Sequence, residues 1–201
     1  RILLEEHLEE LQEVITDTLE WRYHLLSLPW QAQIGPSCGL AALRMVREYF
    51  WTTHSKEEQQ LPSLLGESQE RGYTNNGEVF NANHLTELAD TVCGIECDMW
   101  STRELQPRAV TQELMTGGVF ILPYDTNART KLPSLHSGQK AHYGIVVGIL
   151  IGLESASEEK PLQCLQNEES LSLVDDADTI YLLVQHSLSS KLSIATWSDF
   201  M

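Results

Sequence analysis

A cysteine stands at the start of a predicted helix, which is where a thiol nucleophile would be placed. Cys38 follows the Gly35-Pro36 break and Ser37, and Gly39 comes directly after it. Backbone N–H groups at a helix start carry partial positive charge, which favours the thiolate over the thiol. Gly39 leaves room for a substrate backbone to approach the sulfur. The local sequence therefore predicts Cys38 as a nucleophile rather than as a small buried hydrophobe, the usual role of a free cysteine.

A thiol nucleophile needs a base within hydrogen-bond reach, and His142 is the candidate. It opens the most apolar predicted strand of the chain, Ala141 to Leu150, after a long polar loop. A histidine at a strand edge is commonly satisfied by backbone groups, but pairing with Cys38 favours the role of base. For the amide that stabilises an oxyanion, Gln33 and Gln31 compete, and we choose Gln33.

A third group should orient the imidazole of the base. If the strand that begins beside His142 pairs antiparallel with a second predicted strand, 179–184, the end of the second lies beside the start of the first. This places Gln185 or His186 next to His142. We expect Gln185 to accept from the ring N–H through its amide oxygen. An acidic run supplies the alternative orienters, which are Asp175, Asp176 and Asp178.

The chain divides into an N-terminal helix and one domain that holds the candidate residues. Apolar residues at helical spacing predict an amphipathic helix over 2–26, and we interpret residues 1–28 as a leader and 29–201 as the domain. A segment from about 154 to 178 is acidic, rich in serine and weakly periodic, which predicts a mobile insertion.

Predicted helices occupy the first half of the domain and predicted strands the second. The helices are expected from Cys38 to about Phe50, around Leu61–Arg71, from Asn81 or Asn83 through Val92, and from Pro107 to Gly117-Gly118. The strands are expected at 95–100, 119–124, 141–150, 179–184 and 192–197. This order predicts an α+β fold in which a helical half packs on an antiparallel sheet from the C-terminal half.

Composition excludes several classes of partner and site. A net charge of −16 disfavours nucleic acid and anionic membrane, which are both polyanions, and we expect neither as a partner. Four cysteines are too few for a disulfide scaffold, and the first residues show no signal-peptide pattern, so we expect a reducing, cytoplasmic compartment. Cys93 and Cys97 with His84 form only a weak zinc pattern, so no metal or other cofactor is predicted.

Four segments make the chain resemble the actin maturation protease family. They are Gly35 to Leu43, Arg71 to Thr74 with Gly77 to Phe80, Ala141 to Gly144, and Leu183 to Gln185. The Cys-Gly pair is shared with papain-like and bacteriocin-leader peptidases, whereas the Gly-Tyr-Thr and Gly-Glu-x-Phe stretch discriminates better. The resemblance extends from about residue 30 to the C-terminus.

The resemblance implies a papain-like cysteine peptidase fold and a cytosolic aminopeptidase that removes the N-terminal acetylated Met or Cys from nascent actin. Under it, Cys38 attacks the scissile carbonyl, His142 acts as base and then as acid, and Gln33 helps to hold the oxyanion. Actin is then the protein substrate. The proline-rich segment that the family uses to bind profilin is not among these 201 residues.

The acidic N-terminus of actin would be repelled at long range by a chain of net charge −16. We therefore expect a local basic rim that binds substrate, formed by Arg129, Lys131 and Lys140 close to His142. Two other functions remain open from the sequence. One is a catalytically silent domain of the same fold that binds actin, and the other is a papain-like peptidase or acyl transferase with a different protein substrate.

Overall fold

A computed structural model describes residues 2–16, 18–53, 63–154 and 162–200 of the chain. Its helices are α1 Ile2–Gln12, α2 Cys38–Thr53, α3 Leu64–Glu70, α4 Ala82–Cys93, α5 Pro107–Met115, α6 Ser172–Asp175 and α7 Trp197–Phe200. Its strands are β1 Leu19–Leu25, β2 Phe120–Asp125, β3 Ala141–Glu154, β4 Gln163–Cys164, β5 Thr179–His186 and β6 Ser189–Thr196. A short 3₁₀ helix, Glu168–Leu171, precedes α6. Within these described ranges, no helix is long and apolar enough to cross a membrane.

The sheet is organised around β3, which is 14 residues long. On one edge β2 pairs with the first part of β3 and β1 with its second part, while β5 pairs along the other edge and β6 continues beyond β5. These pairings are antiparallel, and the short β4 adds a parallel pairing with β1. The fold is therefore α+β with a mixed sheet.

Apolar side chains cover both faces of β3, which is why its sequence is a nearly continuous apolar run. On one face Ile145 packs in a core with residues of α2 and α4, and on the other Val146 packs with α5 and the segment around α6. A β-bulge between Val146 and Gly148 shifts the alternation, so Val147 and Leu150 both face the first core. The long strand thus separates two cores.

Local sequence explains how α4 and α5 begin and end. The Asn81 side chain accepts a hydrogen bond from the N–H of Asn83 at 3.0 Å and caps α4, and Gly94 ends α4 with a φ of +62°. Pro107 occupies the first turn of α5, where its missing N–H costs nothing. The predictions of α2, α4, α5, β2, β3, β5 and β6 are confirmed to within a few residues.

Three predictions differ from the structure. The helix expected over 2–26 ends at Gln12, and Leu19–Leu25 forms β1, because this stretch alternates apolar and polar side chains and pairs with β3. The sheet therefore includes a strand from the N-terminal half, and the β1–β4 pairing makes it mixed rather than purely antiparallel. The strand expected at 95–100 is wrong, since this stretch pairs with no strand of the sheet.

The predicted insertion at about 154–178 falls partly on residues 155–161, which lie outside the described residues. Its described part contributes Leu165, Leu171 and Val174 to the buried residues of the molecule. These side chains bring the segment against the second face of the sheet, beside α5.

Candidate active site

Cys38 is the first residue of α2. The hydroxyl of Ser37, the residue before the helix, donates to the carbonyl oxygen of Ile34 at 2.8 Å. The first N–H groups of an α-helix have no partner within the helix. Cys38 is half-buried. The thiol and the positive end of the helix dipole therefore share one accessible position, which suits an anionic sulfur or an oxyanion.

Packing brings Cys38 to the first residues of β3. A Cβ placed on Gly39 would lie 3.2 Å from the ring of Tyr143 and 3.2 Å from a methyl group of Leu85. Burial raises the pKa of the Tyr143 phenol, and the nearby Cys38 raises it further. Burial also raises the pKa of Tyr124 to about 12, again with a contribution from Cys38. Both tyrosines adjoin His142, since Tyr143 follows it in β3 and Tyr124 lies opposite it in β2.

His142 is a buried, uncharged imidazole. It is 5 % exposed, and its Nε2 atom has no hydrogen-bond partner among the described residues. Its ring lies edge to face with those of Tyr124 and His186, at centroid distances of 6.0 Å and 5.8 Å. Burial lowers the pKa of His142 from 6.5 to about 4, with smaller contributions from His186 and Lys131. An imidazole that is neutral at pH 7 with an unoccupied ring nitrogen can accept a proton, as a general base must.

The two candidates for the third group lie on different faces of the sheet. His186 pairs with Gly144 across the β3–β5 ladder and so shares the face of His142, whereas Gln185 pairs with Ile145 on the face covered by α2. The Nδ1 atom of His186 accepts from the N–H of Leu188 at 3.2 Å, which leaves Nε2 to carry the proton of the neutral ring. Burial lowers the pKa of His186 to about 4.

Gln185 is 1 % exposed, and its amide nitrogen has no hydrogen-bond partner among the described residues. A buried amide without a partner costs free energy, so its placement calls for a role. The expectation that the end of β5 adjoins the start of β3 is confirmed.

The acidic alternatives lie elsewhere. The carboxylate of Asp178 accepts from the N–H of Glu154 at 2.8 Å, at the end of β3 opposite to His142. Fourteen strand residues span roughly 45 Å at about 3.3 Å each. Asp175 pairs with Arg108 of α5. The structure therefore does not bring this acidic run to His142.

Gln33 joins the loop before Cys38 to the turn after β5. Its amide oxygen accepts from the Ser187 hydroxyl at 2.8 Å, its backbone N–H donates to the Ser187 carbonyl at 3.2 Å, and its amide nitrogen donates to the Gly35 carbonyl at 2.8 Å. The Trp30 indole N–H adds a bond to the carbonyl of His186 at 3.0 Å. No sequence signal pointed to Trp30 or Ser187, because these contacts join segments more than 150 residues apart.

Gln31, the competing amide, is directed at the Glu48 carboxylate of α2 instead. Of the two glutamines considered for the oxyanion, Gln33 is thus the one linked to the turn that follows Gln185 and His186.

Of the three predicted basic residues, Lys131 has the clearest electrostatic effect on the site, since its charge lowers the pKa of both His142 and His186. Its carbonyl oxygen accepts from the Tyr124 hydroxyl at 3.3 Å. Lys140 lies two residues before His142, and its N–H donates to the Asp125 carboxylate at 3.1 Å. Arg129 is exposed in the turn just before Lys131.

Asp125 organises the loop that carries these charges. Its carboxylate also accepts from the N–H groups of His136 at 3.0 Å and Gly138 at 2.7 Å. These backbone donors hold the pKa of Asp125 below its usual range. A carboxylate that was not singled out from the sequence thus fixes the approach to His142.

A family model described as "Actin maturation protease-like, C-terminal domain" matches residues 28–150. The chain belongs to this family. The matched range includes Gln33, Cys38 and His142, and it ends before Gln185 and His186.

Curated relatives named "Actin maturation protease" agree with this assignment. The Danio rerio protein is 28 % identical over 189 residues, which cover 88 % of this chain and 60 % of the relative. The Xenopus tropicalis protein is 28 % identical over 200 residues, covering 92 % of this chain and 65 % of the relative. The Mus musculus protein is 32 % identical over 139 residues, covering 68 % and 37 %. The chain thus spans less than two thirds of these relatives, and no solved structure matches it.

Proposed function

We propose that this chain is a cytoplasmic thiol protease, an aminopeptidase that removes the N-terminal acetylated Met or Cys from actin. The observation that carries the proposal is the packing of α2 against Tyr143 of β3, together with the electrostatic effect of Cys38 on Tyr124, whose ring contacts that of His142. The names of the relatives support actin as the substrate. A papain-like arrangement of helix-borne thiol and strand-borne imidazole is part of the proposal.

In the proposed reaction, His142 takes the proton of the Cys38 thiol, and the sulfur attacks the carbonyl carbon of the first residue of the substrate. The negative charge that develops on the carbonyl oxygen is stabilised by N–H groups at the start of α2 and by the amide of Gln33. His142 then gives its proton to the leaving amine, and an acyl-enzyme thioester remains. Water attacks this thioester while His142 accepts a proton from it, and the acetylated residue and the free thiol are released.

The group that orients His142 is part of the same proposal. Gln185 is the residue expected from the sequence, and its buried, unpartnered amide supports a functional role. The edge-to-face contact of His186 with His142 supports His186 as the alternative. Because His186 shares the face of His142 and Gln185 lies on the other face, His186 is the residue that would hold the imidazole in one orientation while it exchanges its proton.

The test is to incubate the protein with N-acetylated peptides of actin-like and of unrelated sequence and to measure the products by mass. We expect release of the acetylated first residue from the actin-like peptides by the wild type and by Cys164→Ala, which changes an exposed cysteine on β4. Cys38→Ala and His142→Ala should abolish it, while Cys38→Ala should still bind the peptides.

Other outcomes would contradict the proposal. Binding to actin without cleavage by the wild type would indicate a catalytically silent interaction domain of the same fold. Cleavage of unrelated proteins that depends on Cys38 but spares the actin-like peptides would indicate a peptidase with another substrate.

A further inference from the structure

An apolar cavity of about 480 Å³ lies between α2, α4 and β2. It is enclosed by α2, α4, the first residues of β2 and the segment 95–105 between α4 and α5. Ligand sites in proteins commonly measure roughly 300 to 1,000 Å³. This cavity is therefore large enough for a side chain together with a small acyl group.

The cavity reaches the residue that follows Cys38. Leu85 of α4 and Tyr143 of β3 both line it. These are the two side chains that a Cβ on Gly39 would meet, each at 3.2 Å. Leu85 and Tyr143 therefore form a wall that the cavity shares with the residue after Cys38.

The chemistry of the walls selects an uncharged, apolar group. The floor is built from Val46, Leu85, Ala89 and Ile121, among other apolar side chains. Three exposed acidic residues also line it, Glu96, Asp98 and Glu113, and we call them the acidic rim of the cavity. No Lys, Arg or His is among the described lining residues. An acidic side chain would lose its hydration at the floor and be repelled by these carboxylates.

We propose that this cavity binds the side chain and the acetyl group of the substrate residue that is removed. The inference rests on the proposed function, in which that residue is the only one on the acyl side of the scissile bond. The leaving side of the proposed substrate is acidic and would be repelled by Glu96, Asp98 and Glu113. The apolar side chain of the first residue fits the apolar floor of the cavity. Its amine carries no charge after acetylation, so it does not require a charged partner there.

The test fills the cavity and measures the preference for the first residue. Ala89→Leu adds bulk to the floor, and Asp90→Leu, an exposed neighbour on α4 that does not line the cavity, is the matched control. The substrates are peptides that begin with acetyl-Met, acetyl-Ala or acetyl-Asp and are otherwise identical. One side-chain methylene in an apolar pocket is worth about 10- to 200-fold in kcat/KM.

We expect the wild type and Asp90→Leu to prefer acetyl-Met over acetyl-Ala by at least about tenfold. Ala89→Leu should lower kcat/KM for acetyl-Met by about tenfold or more and change acetyl-Ala less than about threefold. Reversing the charge of two residues of the acidic rim, in the double variant Glu96→Lys with Asp98→Lys, should raise kcat/KM for the acetyl-Asp peptide. If Ala89→Leu does not fold, Ala82→Leu places the added bulk two turns earlier in α4, at a half-buried lining position.

A binding measurement separates this inference from the proposed function. Titration of N-acetyl-methionine amide into Cys38→Ala protein, followed by NMR, should show binding that the added Ala89→Leu change weakens by about tenfold. If the wild type does not cleave the peptides but this binding is observed, the proposed function is overturned and the cavity proposal stands. The cavity proposal is overturned if Ala89→Leu and Ala82→Leu reduce cleavage equally for all three peptides. It is also overturned if these changes leave the binding of N-acetyl-methionine amide unchanged.

Discussion

Burial keeps the imidazoles of His142 and His186 uncharged at neutral pH. Protonation of either ring would place a charge inside the protein, beside a second imidazole and within the field of Lys131. A neutral imidazole has a lone pair ready for the thiol proton, although its lowered pKa also makes it a weaker base. This advantage has a cost in stability, because both rings must stay unprotonated for the fold to keep them buried.

The stability of the protein should therefore fall as the pH is lowered from the pKa of an unfolded histidine toward the lower pKa of these two histidines in the folded protein. In the unfolded chain a histidine titrates near 6.5, and in the folded protein both titrate at about 4. Between these values the unfolded state binds more protons, so the free energy of unfolding rises with pH and is lost on acidification. From pH 7 to pH 5 we expect a loss on the order of 2 kcal/mol per histidine.

Urea denaturation at pH 7 and pH 5 measures this loss, with His186→Gln as the comparison. The variant keeps a polar side chain at the position but has one fewer titrating group, so its loss should be smaller by about the contribution of one histidine. Equal losses in the two proteins would contradict the depressed pKa of His186.

The orienting group can be identified by a pair of single substitutions. If His186 holds the ring of His142, His186→Ala should lower kcat about 10- to 100-fold, a fraction of the effect of the base itself, and His186→Asn should restore part of it. If Gln185 has this role, Gln185→Met should give the larger loss. Comparison of kcat, KM and the pH profile across the variants decides between them, since a purely structural defect would not shift the acid limb of the pH profile.

The loop between α3 and α4 supports the segment that presents Cys38. The Thr74 hydroxyl accepts from the N–H of Gly77 at 2.8 Å and closes the turn. Gly77 has a φ of +119°, and a Cβ placed there would lie 2.9 Å from the Cβ of Ser37. This stretch, which distinguished the family in the sequence, therefore lies directly against the residue before the nucleophile.

Substitution of Gly77 should displace Cys38 as well as strain the backbone. Gly77→Ala is expected to lower kcat and the rate of Cys38 alkylation by iodoacetamide about tenfold, since small misplacements of a reacting group carry large penalties. Gly72→Ala is the matched control, because Gly72 also has a positive φ, +72°, but nothing lies within 4 Å of its added Cβ. Gly77→Ala should also lose more thermal stability than Gly72→Ala, because its added Cβ meets Ser37. An equal loss of alkylation rate in both variants would contradict the displacement.

The elements that the sequence predicted well are those with a strong period and clear ends. Helix α4 has its cap at Asn81 and its end at Gly94, and β3 is a long apolar run after a polar loop. Strand β1 was missed because Leu19 continues the helical spacing of the preceding leucines, and only pairing with β3 reveals the strand. Tertiary contacts decided that segment, as they often do for short amphipathic stretches.

Within the site, the pairing of strands was predictable and the register was not. A shift of one residue moves every side chain to the other face of a sheet. The sequence could therefore place both Gln185 and His186 near the start of β3, but not decide which of them faces His142. The apolar cavity was also beyond the sequence, since α2, α4 and β2 form it together.

At the scale of the whole molecule, the distribution of charge opposes the proposed substrate. The net charge of −16 produces long-range repulsion of an acidic peptide. Close to the site the sign is reversed, because Lys131 acts on both imidazoles and Lys140 lies two residues before His142. Long-range repulsion is screened within about 10 Å at 0.1 M salt, whereas short contacts with the basic residues are screened less.

The effects of salt and of the basic rim (Arg129, Lys131 and Lys140) on KM should therefore be larger for an acidic peptide than for a neutral one. Raising the salt concentration should lower KM for an acidic actin-like peptide and leave a neutral peptide nearly unchanged, because it screens the repulsion. Lys131→Glu should raise KM several-fold for the acidic peptide alone. Arg108→Glu, which makes the same change in net charge at a residue paired with Asp175, is the control and should have a smaller effect. If the two reversals raise KM for the acidic peptide equally, the total charge of the protein accounts for the effect, and Lys131 does not guide the substrate to Cys38.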